Sequence, residues 1–158
     1  MKRSVLAVVF AALAAAAPAS AQDARPLTPA LMAQLLQGGL ILYFRHGETP
    51  NYKDPIEGDH YEDCAQQRNL SVDGREQARA IGKAFRELAI PLGVIRSSPF
   101  CRSADTARLA FGRVEKDLSL MSNGEDNEPG ENERIAHLRN IMKIPPWPST
   151  NTVFVGHG

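Results

Sequence analysis

Arg45 and His46 stand side by side after an apolar run, Arg102 follows a second run, and His157 sits between two glycines after a third. A guanidinium is permanently cationic and presents a planar fork of donors that fits two oxygens of a phosphate. A neutral imidazole carries a lone pair that can attack phosphorus and hold the transferred group. In-line phosphoryl transfer needs positive groups on the equatorial oxygens and a nucleophile opposite the leaving oxygen. Two guanidiniums and two imidazoles in one place would meet that need with no metal, and no carboxylate cluster suited to holding one stands out in the sequence. Taken singly, each residue has an ordinary explanation: surface ion pairs for the arginines, a hydrogen-bonded core histidine for His46, a loop residue for His157. Everything therefore turns on whether the fold brings the four together.

The elements that must do so can be read from the pattern of residues. Thr28-Pro29 reads as a cap and first turn of a helix reaching about Gln37, with Gly38-Gly39 as its stop. Leu40 to Phe44 is a continuous apolar run that suits a strand buried on both faces. Residues 45–69 are polar and make a long loop, and loops of this length are more often functional than idle. Ser71 opens a helix through about Leu88, with Ala78, Ile81, Phe85 and Leu88 on one face. Val94-Ile95 begins a second strand ending at Ser97-Ser98-Pro99. A helix is expected over Arg102–Ala110, a short strand within Val114–Leu120, a loop over 121–130, and a helix over Glu131–Lys143 carrying Ile135, Leu138, Ile141 and Met142. Prolines 145, 146 and 148 make a stiff connector in which Trp147 is expected to be a packing anchor. Thr152–Val155 is the last strand. Alternating strands and helices imply an α/β fold with a largely parallel sheet, whose ligands bind beyond the carboxyl ends of the strands. Residues 45–49, 97–102 and 156–158 all fall at such ends.

Arg45-His46-Gly47-Glu48-Thr49 after a buried strand resembles the signature of the histidine phosphatase superfamily, the phosphoglycerate-mutase-like fold. Leu70-Ser71-Val72-Asp73-Gly74-Arg75-Glu76-Gln77-Ala78 is similar to the family's helix after the first loop. The segment from Ser97 to Ala107 resembles the one that brings the second arginine, and Gly156-His157-Gly158 resembles the second histidine motif. The resemblance covers about residues 40–158. It implies a three-layer sandwich, a central sheet flanked by helices, with the family's C-terminal elements missing. It also implies roles: His46 as nucleophile, with Arg45, Arg102 and His157 holding the phosphoryl group. Gly47 would allow close packing and orient the imidazole through its carbonyl, and Thr49 would contact substrate or structure. The family commonly supplies a general acid from the loop after the second arginine's segment. Glu125 is the first candidate there and Asp126 the next, with Glu128 also present, and ordinary solvated loop acids are the competing reading. His60 reads as a solvated loop histidine and His137 as structural. Residues 66–69 read equally as a substrate wall or a solvated turn.

The N-terminus sets the compartment. Met1-Lys2-Arg3, an uncharged run from Ser4 to Ala17, and Ala19-Ser20-Ala21 form the pattern of a secretory signal peptide cleaved after Ala21. The apolar run is shorter than the roughly 20 residues a membrane span needs. The expected organisation is thus a signal peptide, 1–21, and one histidine phosphatase domain, 22–158, incomplete at its C-terminus. The full sequence has a formal net charge of +0, and losing Lys2 and Arg3 makes it slightly acidic. General attraction to nucleic acid or to anionic lipid is not indicated. Cys64 and Cys101 would meet an oxidising compartment, which favours one bridge over two free thiols. Such a bridge would close a loop of roughly 37 residues, nominally worth about 3–4 kcal/mol in the chain-entropy account. The expectation is a periplasmic or secreted phosphatase acting on a small phosphomonoester, without cofactor, nucleic acid or stable membrane insertion. The alternatives are a non-catalytic phosphate-ester-binding module of the same fold and a mutase-type phosphotransferase. Export weighs against a glycolytic mutase, whose substrate is cytoplasmic.

Overall fold

The computed structural model describes residues 27–51, 62–121 and 131–157. The expected signal peptide, His60, Glu125, Asp126, Glu128 and Gly158 lie outside the described residues. In chain order the elements are α1 (Pro29–Gln37), β1 (Ile41–Arg45), α2 (Val72–Glu87), β2 (Leu92–Ser97), α3 (Cys101–Phe111), β3 (Glu115–Lys116), α4 (Glu131–Ile141) and β4 (Asn151–Gly156). Short 3-10 turns occupy Cys64–Gln66 and Leu118–Leu120. The helix starts follow side-chain chemistry. The Thr28 hydroxyl accepts from the Leu31 N–H, and the Ser71 hydroxyl accepts from the Gly74 N–H.

The four strands are all parallel, in the order β1-β4-β2-β3. β4 is central, and all six of its residues are buried. That explains the apolar run Val153–Val155 at its centre, since both faces of a parallel sheet are covered. Val153 and Val155 pack with Ile95 and Ala107, joined by Leu42, Phe44, Leu92, Phe111 and Val114. On the other face, Phe154 packs with Leu120, Ile141, Ile41 and Leu138. This gives three layers, with α3 on one side of the sheet and α4 on the other. Phe44 on β1, Phe85 on α2 and Phe111 on α3 meet with ring centroids 5.4–5.9 Å apart, so α2 is tied to both neighbours. At the amino ends of the strands, the buried Asn151 donates to the carbonyls of Leu35 and Pro91 and accepts from the Leu40 N–H. That side chain is satisfied on both sides and clips α1 to the sheet.

The short strand expected within Val114–Leu120 is present as Glu115–Lys116. Beyond it the Asp117 carboxylate accepts from the Ser119 N–H at 3.0 Å and turns the chain into a 3-10 turn. Several other expectations need correction. Helix α4 stops at Ile141, leaving Met142 exposed beyond it. Leu88, at the end of α2, is exposed rather than on its buried face. Trp147 is 65 % exposed and is not a packing anchor. Its carbonyl instead accepts from the Thr150 N–H and hydroxyl, closing a turn before β4. His137 lies exposed on α4, its Nε2 4.0 Å from Asp117, and plays no core role.

Helices α2 and α3 meet at Gly82, where a β-carbon would collide with the backbone carbonyl of Ala110. Neither backbone can give way without moving a helix. Gly82→Ala should therefore lower stability by about 1–3 kcal/mol, read as a lower denaturant midpoint at unchanged m-value.

Candidate active site

The sheet register places the candidate residues. Arg45 pairs with Gly156, and Ser97 pairs with Val155, so β1, β4 and β2 end level with one another. The ladders run one residue further: the His46 N–H donates to the Gly156 carbonyl at 3.0 Å, and the Ser98 N–H donates to the Val155 carbonyl at 2.8 Å. His46, Ser98 and His157 therefore leave the sheet at one edge. The rings of His46 and His157 lie 5.4 Å apart, nearly edge to face. Arg102, in the first turn of α3, is 4 % exposed, and its guanidinium sits 4.5 Å from the centre of the Phe100 ring. Phe100 also meets the His157 ring edge-on at 5.4 Å.

The nucleophile candidate is held by its own neighbour. His46 Nδ1 lies 2.7 Å from the Gly47 carbonyl. A carbonyl can only accept, so Nδ1 carries the proton and the lone pair sits on Nε2. The Gly47 N–H donates to Thr106 Oγ1 at 2.9 Å, and the Thr106 hydroxyl donates to the Arg102 carbonyl at 2.7 Å. One hydroxyl thus hangs the His46 loop on the helix that carries Arg102. Gly47 also runs against α2, where an added β-carbon would lie 2.6 Å from the Gly74 carbonyl. The expected packing and orienting roles of Gly47 match this geometry.

His157 is fixed through both backbone and ring. Its N–H donates to the Tyr43 oxygen at 3.1 Å, and the Tyr43 hydroxyl donates to the His157 carbonyl at 3.0 Å. Its Nε2 is 2.9 Å from Ser98 Oγ. With the Ser98 hydroxyl donating, the remaining proton is assigned to Nδ1. Tyr43, Ser98 and Thr106 were not singled out from the sequence. Their positions were informative, with Tyr43 two residues before Arg45 on the same strand, Ser98 just past a strand end, and Thr106 one helical turn beyond Arg102.

Burial, the two arginines and a third one set the protonation of the pair. Desolvation lowers the His46 pKa, the Gly47 carbonyl partly opposes this, and the charges of Arg102, Arg45 and Arg68 lower it further. His157 is pushed down to about 3, first by burial, then by Arg102, His46, Arg45 and Arg68. Both imidazoles are therefore neutral near pH 7, which is the form that can attack phosphorus or accept a hydroxyl proton. Arg45 is exposed, and Thr49 is half-buried. Cys64 and Cys101 are joined in a disulfide, in keeping with the bridge expected from the sequence. Among the described residues, no three His, Cys, Asp or Glu side chains group to hold a metal ion.

Comparison with known proteins accords with this geometry. The sequence profile of the histidine phosphatase superfamily (branch 1) matches residues 41–150. The chain belongs to the histidine phosphatase superfamily. Among curated relatives, it is 27 % identical over 117 residues to the mitochondrial serine/threonine-protein phosphatase Pgam5 of Drosophila willistoni and 29 % identical to that of Drosophila persimilis. Each match covers 74 % of this chain, which spans about a third, 32 %, of those relatives' length. Among solved structures, a protein described as mycobacterial hydrolase 1 superposes with a TM-score of 0.50 at 21 % identity, over 76 % of each chain. That likeness supports the fold.

In this member of the superfamily the lowered His157 pKa has a consequence for stability. Its value lies below that of an unfolded histidine, so the unfolded chain binds the extra proton first as pH falls. The contribution is fully present above about pH 6.5 and is lost progressively towards about pH 3. Thermal midpoints should fall across that window, and His157→Asn, which cannot titrate, should flatten the slope.

Proposed function

We propose that this protein hydrolyses phosphomonoesters through a phosphohistidine formed on His46. The observation that carries the reading is the His46 Nδ1 contact with the Gly47 carbonyl at 2.7 Å, which leaves Nε2 as the nucleophilic atom beside His157 and the arginines. In the proposed reaction, Arg45, Arg102 and the His157 Nδ1–H hold the equatorial oxygens. Nε2 attacks phosphorus, a P–N bond forms, and the P–O bond to the leaving alcohol breaks. An acid donates the proton that the departing alkoxide needs, and Glu125 is the first choice for it. Water then gives a proton back to that acid and attacks phosphorus, the P–N bond breaks, inorganic phosphate leaves, and both His46 and the acid return to their starting forms. Gly47 orients the ring, and Thr49 lies within the substrate-side loop. The reaction balances on the chain's own groups and water.

Membership of a phosphatase-containing superfamily and similarity to protein phosphatases support the reaction class. The signal-peptide pattern at residues 1–21 supports a periplasmic or secreted location, where a cell-envelope or nutrient phosphoester would be the substrate. Small phosphoesters suit a pocket whose charge is confined to one sheet edge.

A 4-nitrophenyl phosphate assay tests this reading, because an aryl leaving group barely needs the acid. The wild-type protein should turn it over, and His46→Ala should abolish turnover, a loss of at least about 10³-fold. Rapid quench should trap a phosphoenzyme that is stable to base and labile to acid. The reading falls to that of a binding module if wild type and His46→Ala are equally inactive while both still bind phosphate. The profile of kcat/KM should stay level down to about pH 6.5 and drop only below it, because His46 must be protonated to lose activity and its pKa is lowered.

A further inference from the structure

We infer that Arg68 is a third phosphate-contacting guanidinium of this site, held there by the Cys64–Cys101 disulfide. This inference rests on the phosphatase reading for its activity assays and adds a residue and a covalent brace to it.

Arg68 comes from the loop between β1 and α2, far in sequence from the other site residues, yet that loop is fastened to α3 at two points. Cys64 is bonded to Cys101, with the two α-carbons 5.7 Å apart. The Gln67 side-chain oxygen accepts from the Cys101 N–H at 2.8 Å. Cys101 directly precedes Arg102, so both fastenings land on the residue before the buried guanidinium. The loop is braced internally as well. Asp63 accepts from the Ala65 N–H at 2.9 Å, and Asn69 donates to the Cys64 carbonyl at 2.6 Å. Arg68 then follows the buried Gln67, and the buried Leu70 comes two residues later, which leaves its backbone little freedom. Its side chain is half-buried, and its charge reaches both rings of the pair, lowering the pKa of His46 and of His157.

The chemistry explains what a third cation would do. A phosphomonoester dianion presents three non-bridging oxygens, each able to accept more than one hydrogen bond. Arg45 is exposed on the strand end, and Arg102 approaches from α3. Arg68 supplies charge from the loop wall. A long, flexible side chain gives up rotamer freedom on binding, and a fixed backbone reduces what must be ordered at that moment. The disulfide joins Cys64 and Cys101 in the arrangement that brings residues 67–68 to α3, so the bond acts on Arg68 through its backbone.

The experiment compares wild type, Arg68→Ala, Arg68→Lys, the pair Cys64→Ser with Cys101→Ser, and that pair combined with Arg68→Ala. The probes are 4-nitrophenyl phosphate for turnover and inorganic phosphate for competitive inhibition and calorimetry. Arg68→Ala should raise both KM and the phosphate Ki about tenfold or more, the effect of losing one charge-assisted contact, with a smaller change in kcat. Arg68→Lys should recover part of this. The acid limb of kcat/KM should move to higher pH in Arg68→Ala, because a cation that lowers the His46 pKa has gone. The serine pair should raise KM in the Arg68 protein and add little in the Arg68→Ala protein, the non-additivity expected of two parts of one device. Phosphate Ki within twofold of wild type in Arg68→Ala overturns the inference, and so does multiplication of the two losses. If the serine pair does not fold, the Arg68→Ala Ki and pH limb decide. A wild-type protein that turns over nothing removes the phosphatase reading alone, and phosphate calorimetry on Arg68→Ala then still decides the contact.

Discussion

The site depends on gathering positive charge around one almost completely buried guanidinium. Arg102 is almost completely buried and rests on the Phe100 ring, with Arg45 and Arg68 close enough to act on the same two imidazoles. Like charges drawn together around a buried member are unfavourable until an anion enters, which suits the cluster to receive one. Burial first, and then the arginine charges, hold both histidines unprotonated. The arginines thus add to burial in keeping the His46 lone pair free, while remaining available to an anion.

The fold's contribution is alignment. Three parallel strands that end in register deliver His46, Ser98 and His157 to one edge, and the helix that follows β2 delivers Arg102 to the same place. Small contacts then fix angles that the strands leave loose. The Gly47 carbonyl sets the His46 ring, Thr106 connects that loop to the helix of the second arginine, and Tyr43 grips the backbone of His157 from both sides. These are neutral hydrogen bonds, so they position the charged groups without cancelling their charge.

Much of this was legible in the sequence because it rested on local rules. Thr28 and Ser71 marked helix starts through their hydroxyls, and the apolar runs marked strands, although β1, expected to be buried on both faces, lies at the sheet edge and exposes Tyr43. Four charged or titratable residues at strand ends implied their own convergence once the sheet was taken as parallel. Tertiary context decided what was missed. The exposure of Trp147 depends on neighbours that no window of sequence contains. Residues 66–69 read equally as a substrate wall or a solvated turn, because the fastening of their loop runs through the bond between Cys64 and Cys101, 37 positions apart. Glu125 and its neighbours lie outside the described residues.

The strand order carries a lesson about how the protein must be made. β1 and β2 share no pairing, because β4 lies between them. During synthesis from the N-terminus, the first strand therefore emerges with no partner and stays without one until residues 151–156 have left the ribosome. His46 is translated more than a hundred positions before the histidine beside it. Among the described strands β4 is the keystone, pairing with both β1 and β2, and closing it over such sequence distances is the long-range step that this topology makes slow.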